Sequence, residues 1–193
     1  LDNMDGLAAG VAAIYAAALL AAAGLLGQVG VVVWMSLLLG ALLGFLPYNL
    51  PPARSFMGDG GSLVIGYLLA TVTTLTTYAR PGGDYAYGVL VPLVLMAVPL
   101  YDAGSVILLR LRAGRNPMVG DQRHFSHRLV RRGMTTRSAV GTIYLCTAGT
   151  AMGAVLLAQV QGPLAAGLVF AQTLAILGII ALLESGSGVG RGA

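Results

Sequence analysis

The sequence predicts an all-α fold, a polytopic bundle of about six transmembrane helices. Three observations carry that prediction. Charged residues make up 9% of the chain, against about 25% in a soluble domain. Hydrophobic residues make up 57% and the mean hydropathy is +0.84. Finally, the apolar residues fall into six runs close to the length of about 20 residues that a hydrocarbon core requires. These runs lie near 7–26, 28–46, 62–79, 86–109, 138–160 and 163–183. They lack the period-2 alternation of a membrane β-barrel. Most are rich in Ala, Leu, Val and Gly, the composition of helices that approach closely through small side chains.

The chain opens Leu1-Asp2-Asn3-Met4, with no initiator Met and no basic segment of a signal peptide, and 1–6 reads as the continuation of something longer. Asp2 and Asp5, three residues apart, can face one way at the entry to the first helix. They can equally serve as caps that complement the helix dipole. The second polar segment reads Asn49-Leu-Pro-Pro-Ala-Arg-Ser-Phe-Met-Gly-Asp-Gly-Gly-Ser62. Pro51 and Pro52 end a helix because proline lacks the amide donor. Gly58, Gly60 and Gly61 permit positive φ and close approach of a ligand. Ser62 is a natural N-cap for the next run, where free amides favour anions. Asp59 beside such amides suits a divalent cation carrying a phosphate, while composition alone also fits a plain glycine-rich turn.

In the third run, the hydroxyls of Thr71–Thr77 can bond back to the helix backbone. Asp102 and Glu184 stand near the ends of their runs and are expected at the membrane interface. The single Cys146 lies in an apolar run as a small packing residue and excludes a disulfide. One membrane domain is expected over 1–184, with 185–193 as a flexible Gly/Ser-rich tail.

Orientation follows from arginine, since the chain has no lysine. Eight of the 11 basic residues fall within 110–137, which the positive-inside rule places in the cytoplasm. Counting crossings outward then puts 1–6, 47–61 and 110–137 on one face, as a cytoplasmic active site requires. The basic segment also carries His124 and His127, an i,i+3 pair that one helical face can present together. Its arginines can clamp phosphate oxygens or hold the segment to anionic lipid. With two histidines and no cysteine ligand, a dedicated zinc site is poorly supported.

These three segments, in this order, resemble the polyprenyl-phosphate sugar-1-phosphate transferases, glycosyltransferase family 4. Asp2-Asn-Met-Asp-Gly-Leu-Ala resembles DGxDGLA, with Asn3 in place of the first glycine. Asn49…Pro52-Ala-Arg-Ser-Phe-Met-Gly-Asp-Gly-Gly-Ser-Leu63 resembles NxxPAxxFMGDxGSL. Asp121-Gln-Arg-His-Phe-Ser-His-Arg-Leu129 resembles DRxHxHH, with Ser126 where histidine is common. That serine also separates the chain from the phospho-muramoyl-pentapeptide branch, whose motif is PxHHHxE. The branch acting on UDP-N-acetylhexosamines fits better.

The resemblance implies roles. Asp59 would hold a catalytic Mg2+, with Mn2+ as a substitute. Phe56 would stack on uracil, Asn49 would help fix the nucleotide, and Asp2 and Asp5 would line the nucleotide-sugar pocket. His124, His127 and Arg123 would contact the diphosphate. The partners implied are a UDP-sugar, a polyprenyl phosphate and membrane lipids, with a homodimer compatible and nucleic acid not expected. The site would face the cytoplasm of a bacterial inner membrane and serve cell-envelope glycan synthesis. The family also carries an earlier aspartate pair, DDxxK, that is absent here. The chain therefore reads as the C-terminal portion of an enzyme, inactive alone. The rival reading is a non-catalytic transporter or anionic-lipid-binding membrane protein; a transporter would carry ionisable groups mid-membrane.

Overall fold

The computed structural model describes residues 3–78, 87–114, 124–159 and 162–185. All regular elements among them are helical: α1 (Leu7–Leu25), α2 (Val29–Asn49), α3 (Gly58–Leu75), a 3-10 turn (Gly88–Leu90), α4 (Val91–Leu95), α5 (Ala97–Arg112), α6 (Phe125–Arg131), α7 (Thr136–Leu157) and α8 (Pro163–Ser185). The tail 186–193 lies outside the described residues.

The core is built on α1. Its sequence is dominated by alanine, the best helix former, and buried residues occur around most of its circumference. α2, α3 and α7 pack on it, and α7 in turn contacts α4, α5, α6 and α8. Small residues make the close approaches possible. A Cβ on Gly10 would lie 2.0 Å from the Tyr144 hydroxyl, and one on Gly149 would lie 2.8 Å from Ile176. α2 is the opposite case: Met35, Leu42 and Asn49 are its only buried residues, while Val33, Trp34, Leu37 and Leu43 are exposed. An apolar outer face of this kind is at home against lipid tails.

Among the described residues, four helices are long and apolar enough to cross a bilayer: α1, α2, α7 and α8. The third expected run forms α3, which opens on Gly58-Asp59-Gly60-Gly61 and carries three threonines, so its mean hydropathy is lower. Thr74 and Thr76 do bond back to the carbonyls of Ala70 and Val72, at 2.8 and 2.6 Å. The fourth expected run is broken rather than continuous. α4 ends at Leu95, Met96 leaves helical geometry (φ −91°, ψ 12°), and α5 begins at Ala97. Pro99 is the cause, having no amide to give the Leu95 carbonyl. α3 also starts earlier than expected. Met57, not Ser62, precedes its first residue, and the Ser62 hydroxyl donates to the Asp59 carbonyl at 3.1 Å. Gly58 meets this sharp entry with φ +66°, a conformation that glycine tolerates.

Candidate active site

The polar segments at the starts of α1, α3 and α6 meet. The Asn49 side chain ties two of them together, accepting from the Gly6 amide at 3.1 Å and donating to the Ser55 carbonyl at 2.9 Å. Asp5 accepts from the Ala53 amide through Oδ2 at 3.1 Å. The Ser126 hydroxyl of α6 donates to Asn3 Oδ1 at 2.9 Å. Arg137, in the first turn of α7, donates twice to the Pro51 carbonyl, at 3.2 and 3.0 Å. The loop 50–57 is thus held from α1 on one side and from α7 on the other.

On this platform Asp59 sits exposed in the first turn of α3, where the helix dipole favours a carboxylate. Phe56 is 74% exposed. Asn49, by contrast, is buried and its amide is engaged at both ends. Asp2 and Arg123 lie outside the described residues.

The two histidines do not share a helical face. His124 is the extended residue before α6 (φ −60°, ψ 152°), and only His127 lies in the helix. Burial, followed by the nearby His124 and Arg131, lowers the pKa of His127 below the ordinary histidine value, with Asp102 opposing. His127 therefore favours its neutral form.

Asp102 is buried within the protein, 3% exposed, and both its oxygens are used. Oδ2 lies 3.0 Å from His124 Nδ1, and Oδ1 accepts from the Phe125 amide at 2.7 Å. Glu184 is likewise drawn inward. It pairs with Arg128 at 2.9 Å and accepts from Tyr101 at 3.1 Å, while Arg128 also donates to Ser105 at 2.5 Å. These contacts fasten α6 to α5 and α8. The available signal was a carboxylate inside an apolar run, which is costly unless a partner is supplied.

A cavity of about 440 Å3 lies between α1, α3 and α5, lined by Ala12, Tyr15, Leu63, Leu69 and Pro99 among others, with Ser62, Asp102 and His124 as polar members. From Ala8 to Tyr15 it follows α1 for about 10 Å at the helical rise. Ser62 and His124 belong to the same end as the polar segments, whereas Leu69 and Tyr15 lie deeper in their helices. The cavity is thus apolar with a polar mouth. Among the described residues, no group of three or more His, Cys, Asp or Glu side chains forms a ready-made metal cage.

The glycosyl transferase family 4 model matches residues 1–77, the stretch that holds the first two segments. The similarity to individual relatives runs further. The chain is 40% identical to the decaprenyl-phosphate N-acetylglucosaminephosphotransferase of Mycolicibacterium smegmatis, over 80% of this chain and 42% of that protein. The chain belongs to glycosyl transferase family 4. It is also 32% identical to the probable undecaprenyl-phosphate N-acetylglucosaminyl 1-phosphate transferase of Bacillus subtilis, over 75% of this chain and 40% of that protein. With the undecaprenyl-phosphate alpha-N-acetylglucosaminyl 1-phosphate transferase of Escherichia coli it shares 31% identity, over 77% of this chain and 41% of that protein. The chain spans about two fifths of the length of these relatives. No solved structure matches it. As a family 4 member, the chain has the described parts of its motif segments gathered at the starts of α1, α3 and α6.

Proposed function

We propose that the intact protein transfers N-acetylhexosamine-1-phosphate from a UDP-sugar to a polyprenyl phosphate, releasing UMP at the cytoplasmic membrane face. One observation carries this reading. The three polar segments converge beside a cavity that is apolar along its length and polar at its mouth. Such a cleft suits a substrate with a long hydrocarbon tail and a phosphate head, while the exposed Phe56 and Asp59 suit a water-soluble nucleotide.

In the reaction, an oxygen of the polyprenyl phosphate forms a bond to the sugar-proximal phosphorus. The bond from that phosphorus to the bridging oxygen breaks, and its electron pair leaves with UMP. Positioning and charge neutralisation supply most of the catalysis in such transfers. Asp59 fits the implied Mg2+ as a single carboxylate with no side-chain partner among the described residues, because Mg2+ takes one or two carboxylates and completes its shell with phosphates and water. When bound, the ion neutralises charge on the diphosphate and the departing UMP. Phe56 offers a face for uracil. Asp5 retains Oδ1 for the nucleotide sugar while Oδ2 holds the Ala53 amide. Asn49 acts by fixing the loop that carries Phe56, since its amide is already engaged.

The test is UMP release by the full-length protein in nanodiscs. Release from UDP-N-acetylglucosamine that depends on added polyprenyl phosphate is expected. No release from any UDP-N-acetylhexosamine, or release indifferent to the acceptor, would contradict the proposal. Sidedness is checked by placing a cysteine at position 55, which should label from the cytoplasmic side alone.

A further inference from the structure

We propose that Asp102 is a positioning residue for the transfer: it holds His124 by Nδ1 and presents Nε2 at the mouth of the cavity, to the phosphate of the lipid acceptor. The inference rests on the proposed function and extends it to a residue outside the three motif segments.

The geometry starts from a buried carboxylate. Asp102 is 3% exposed, so a charge there persists only if its oxygens are hydrogen-bonded. Both are, and both partners come from the start of α6, 22 and 23 residues further along the chain. The Phe125 amide is the first of α6, one of the donors that a helix leaves unpaired. A residue in the position of His124 commonly caps such donors with its own side chain, but this imidazole makes no capping bond. Asp102 satisfies the Phe125 amide from α5, and the same carboxylate holds the ring by Nδ1.

That arrangement fixes the ring. A carboxylate can only accept, so Nδ1 must carry the proton between them, and in the neutral imidazole Nε2 is then the acceptor. Nε2 has no hydrogen-bond partner among the described residues. Asp102 and His124 both line the cavity, as does Ser62 of α3. The remaining lining is largely apolar. A phosphate monoester whose tail occupies the apolar stretch therefore brings its oxygens to this end. There Nε2 can take the proton of the monoester, or return it as a hydrogen bond to the attacking oxygen. Asp59 does not line this cavity, so the two carboxylates divide the substrates, Asp59 toward the nucleotide and Asp102 toward the lipid.

The discriminating variant is Asp102→Asn. Its Oδ1 can still accept from Phe125, so α6 stays docked, but its NH2 then faces Nδ1 and forces the proton onto Nε2. The experiment uses the full-length protein, labelled with 15N-histidine in nanodiscs, with the His124 ring signals assigned by difference against His124→Gln. The wild type should show protonated Nδ1 and unprotonated Nε2, and Asp102→Asn the reverse. Turnover should fall about 100-fold or more, in the range for loss of a positioned proton-transfer group. The UDP-sugar KM should be unchanged, and the loss should not add to that of His124→Gln. A wild-type ring protonated on Nε2, normal turnover in Asp102→Asn, or additive losses would each overturn the proposal. If the wild type releases no UMP, the proposed function falls, while the ring spectra still decide whether Asp102 holds His124.

Discussion

Phe56 shows how much a single side chain can say. A large aromatic residue left 74% exposed, in a loop tied down by Asn49 and Arg137, is held in place without being buried. Base-on-aromatic stacking contributes about 1–3 kcal/mol, so Phe56→Ala should raise the KM for the UDP-sugar about 10-fold and Phe56→Tyr should leave it near wild type. Steady-state kinetics at saturating acceptor measure this, and an unchanged KM in Phe56→Ala would remove the stacking role. Phe56, Asp59 and Asp5 were legible in the sequence because they stand in motif segments that resemble the family. The engagement of Asn49 was not, since both of its partners are backbone groups, and a backbone amide or carbonyl leaves no mark in composition. The engagement of Asp102 was hidden for a related reason. Its partners lie 22 and 23 residues away, and proximity in the fold cannot be read from a periodicity.

The helices themselves were the most legible layer, since the length of an apolar run is a direct measure of what can cross a bilayer. Their interruptions were less so. Pro92 and Pro99 are visible in the fourth run, yet prolines are tolerated in membrane helices, and only the geometry at Met96 reveals the break. That break matters because α5 carries Asp102 to the cavity. The start of α3 was set too late, because Ser62 is a better cap by type than Met57. The decisive feature was the sharp turn that Gly58 permits. Packing between elements follows from residue size. Gly10 faces the Tyr144 hydroxyl, which itself donates to the Gly6 carbonyl. Gly10→Ala should therefore push Tyr144 off α1 and lower stability by about 1–3 kcal/mol, the usual cost of overfilling a tight contact. Thermal unfolding in detergent checks the direction. An unshifted midpoint would mean that α1 and α7 have slack at this crossing.

Taken together, the chain is a helical membrane domain of glycosyl transferase family 4 whose described motif residues are concentrated where α1, α3 and α6 begin. The arginine distribution and the crossing count suggested that concentration, and the contacts from Asn3 to Ser126 and from Pro51 to Arg137 bring the segments together. Asn3 and Ser126 are also the two positions noted as departures from the family motifs, and they hydrogen-bond to each other. The sequence could show each departure but not that they meet. Asp59 remains the residue on which the catalytic reading most depends, because it is the sole carboxylate proposed to hold the metal. A solvated turn residue would tolerate Asp59→Asn almost silently, as exposed substitutions usually fall within about 0.5 kcal/mol. A metal ligand would not, because asparagine keeps the shape but removes the charge that holds a hard cation. The sharpest single test is therefore UMP release by the full-length enzyme at limiting Mg2+, wild type against Asp59→Asn. Collapse of turnover in the variant, with UDP-sugar binding largely retained, is the expected result; equal rates would remove Asp59 from the active site.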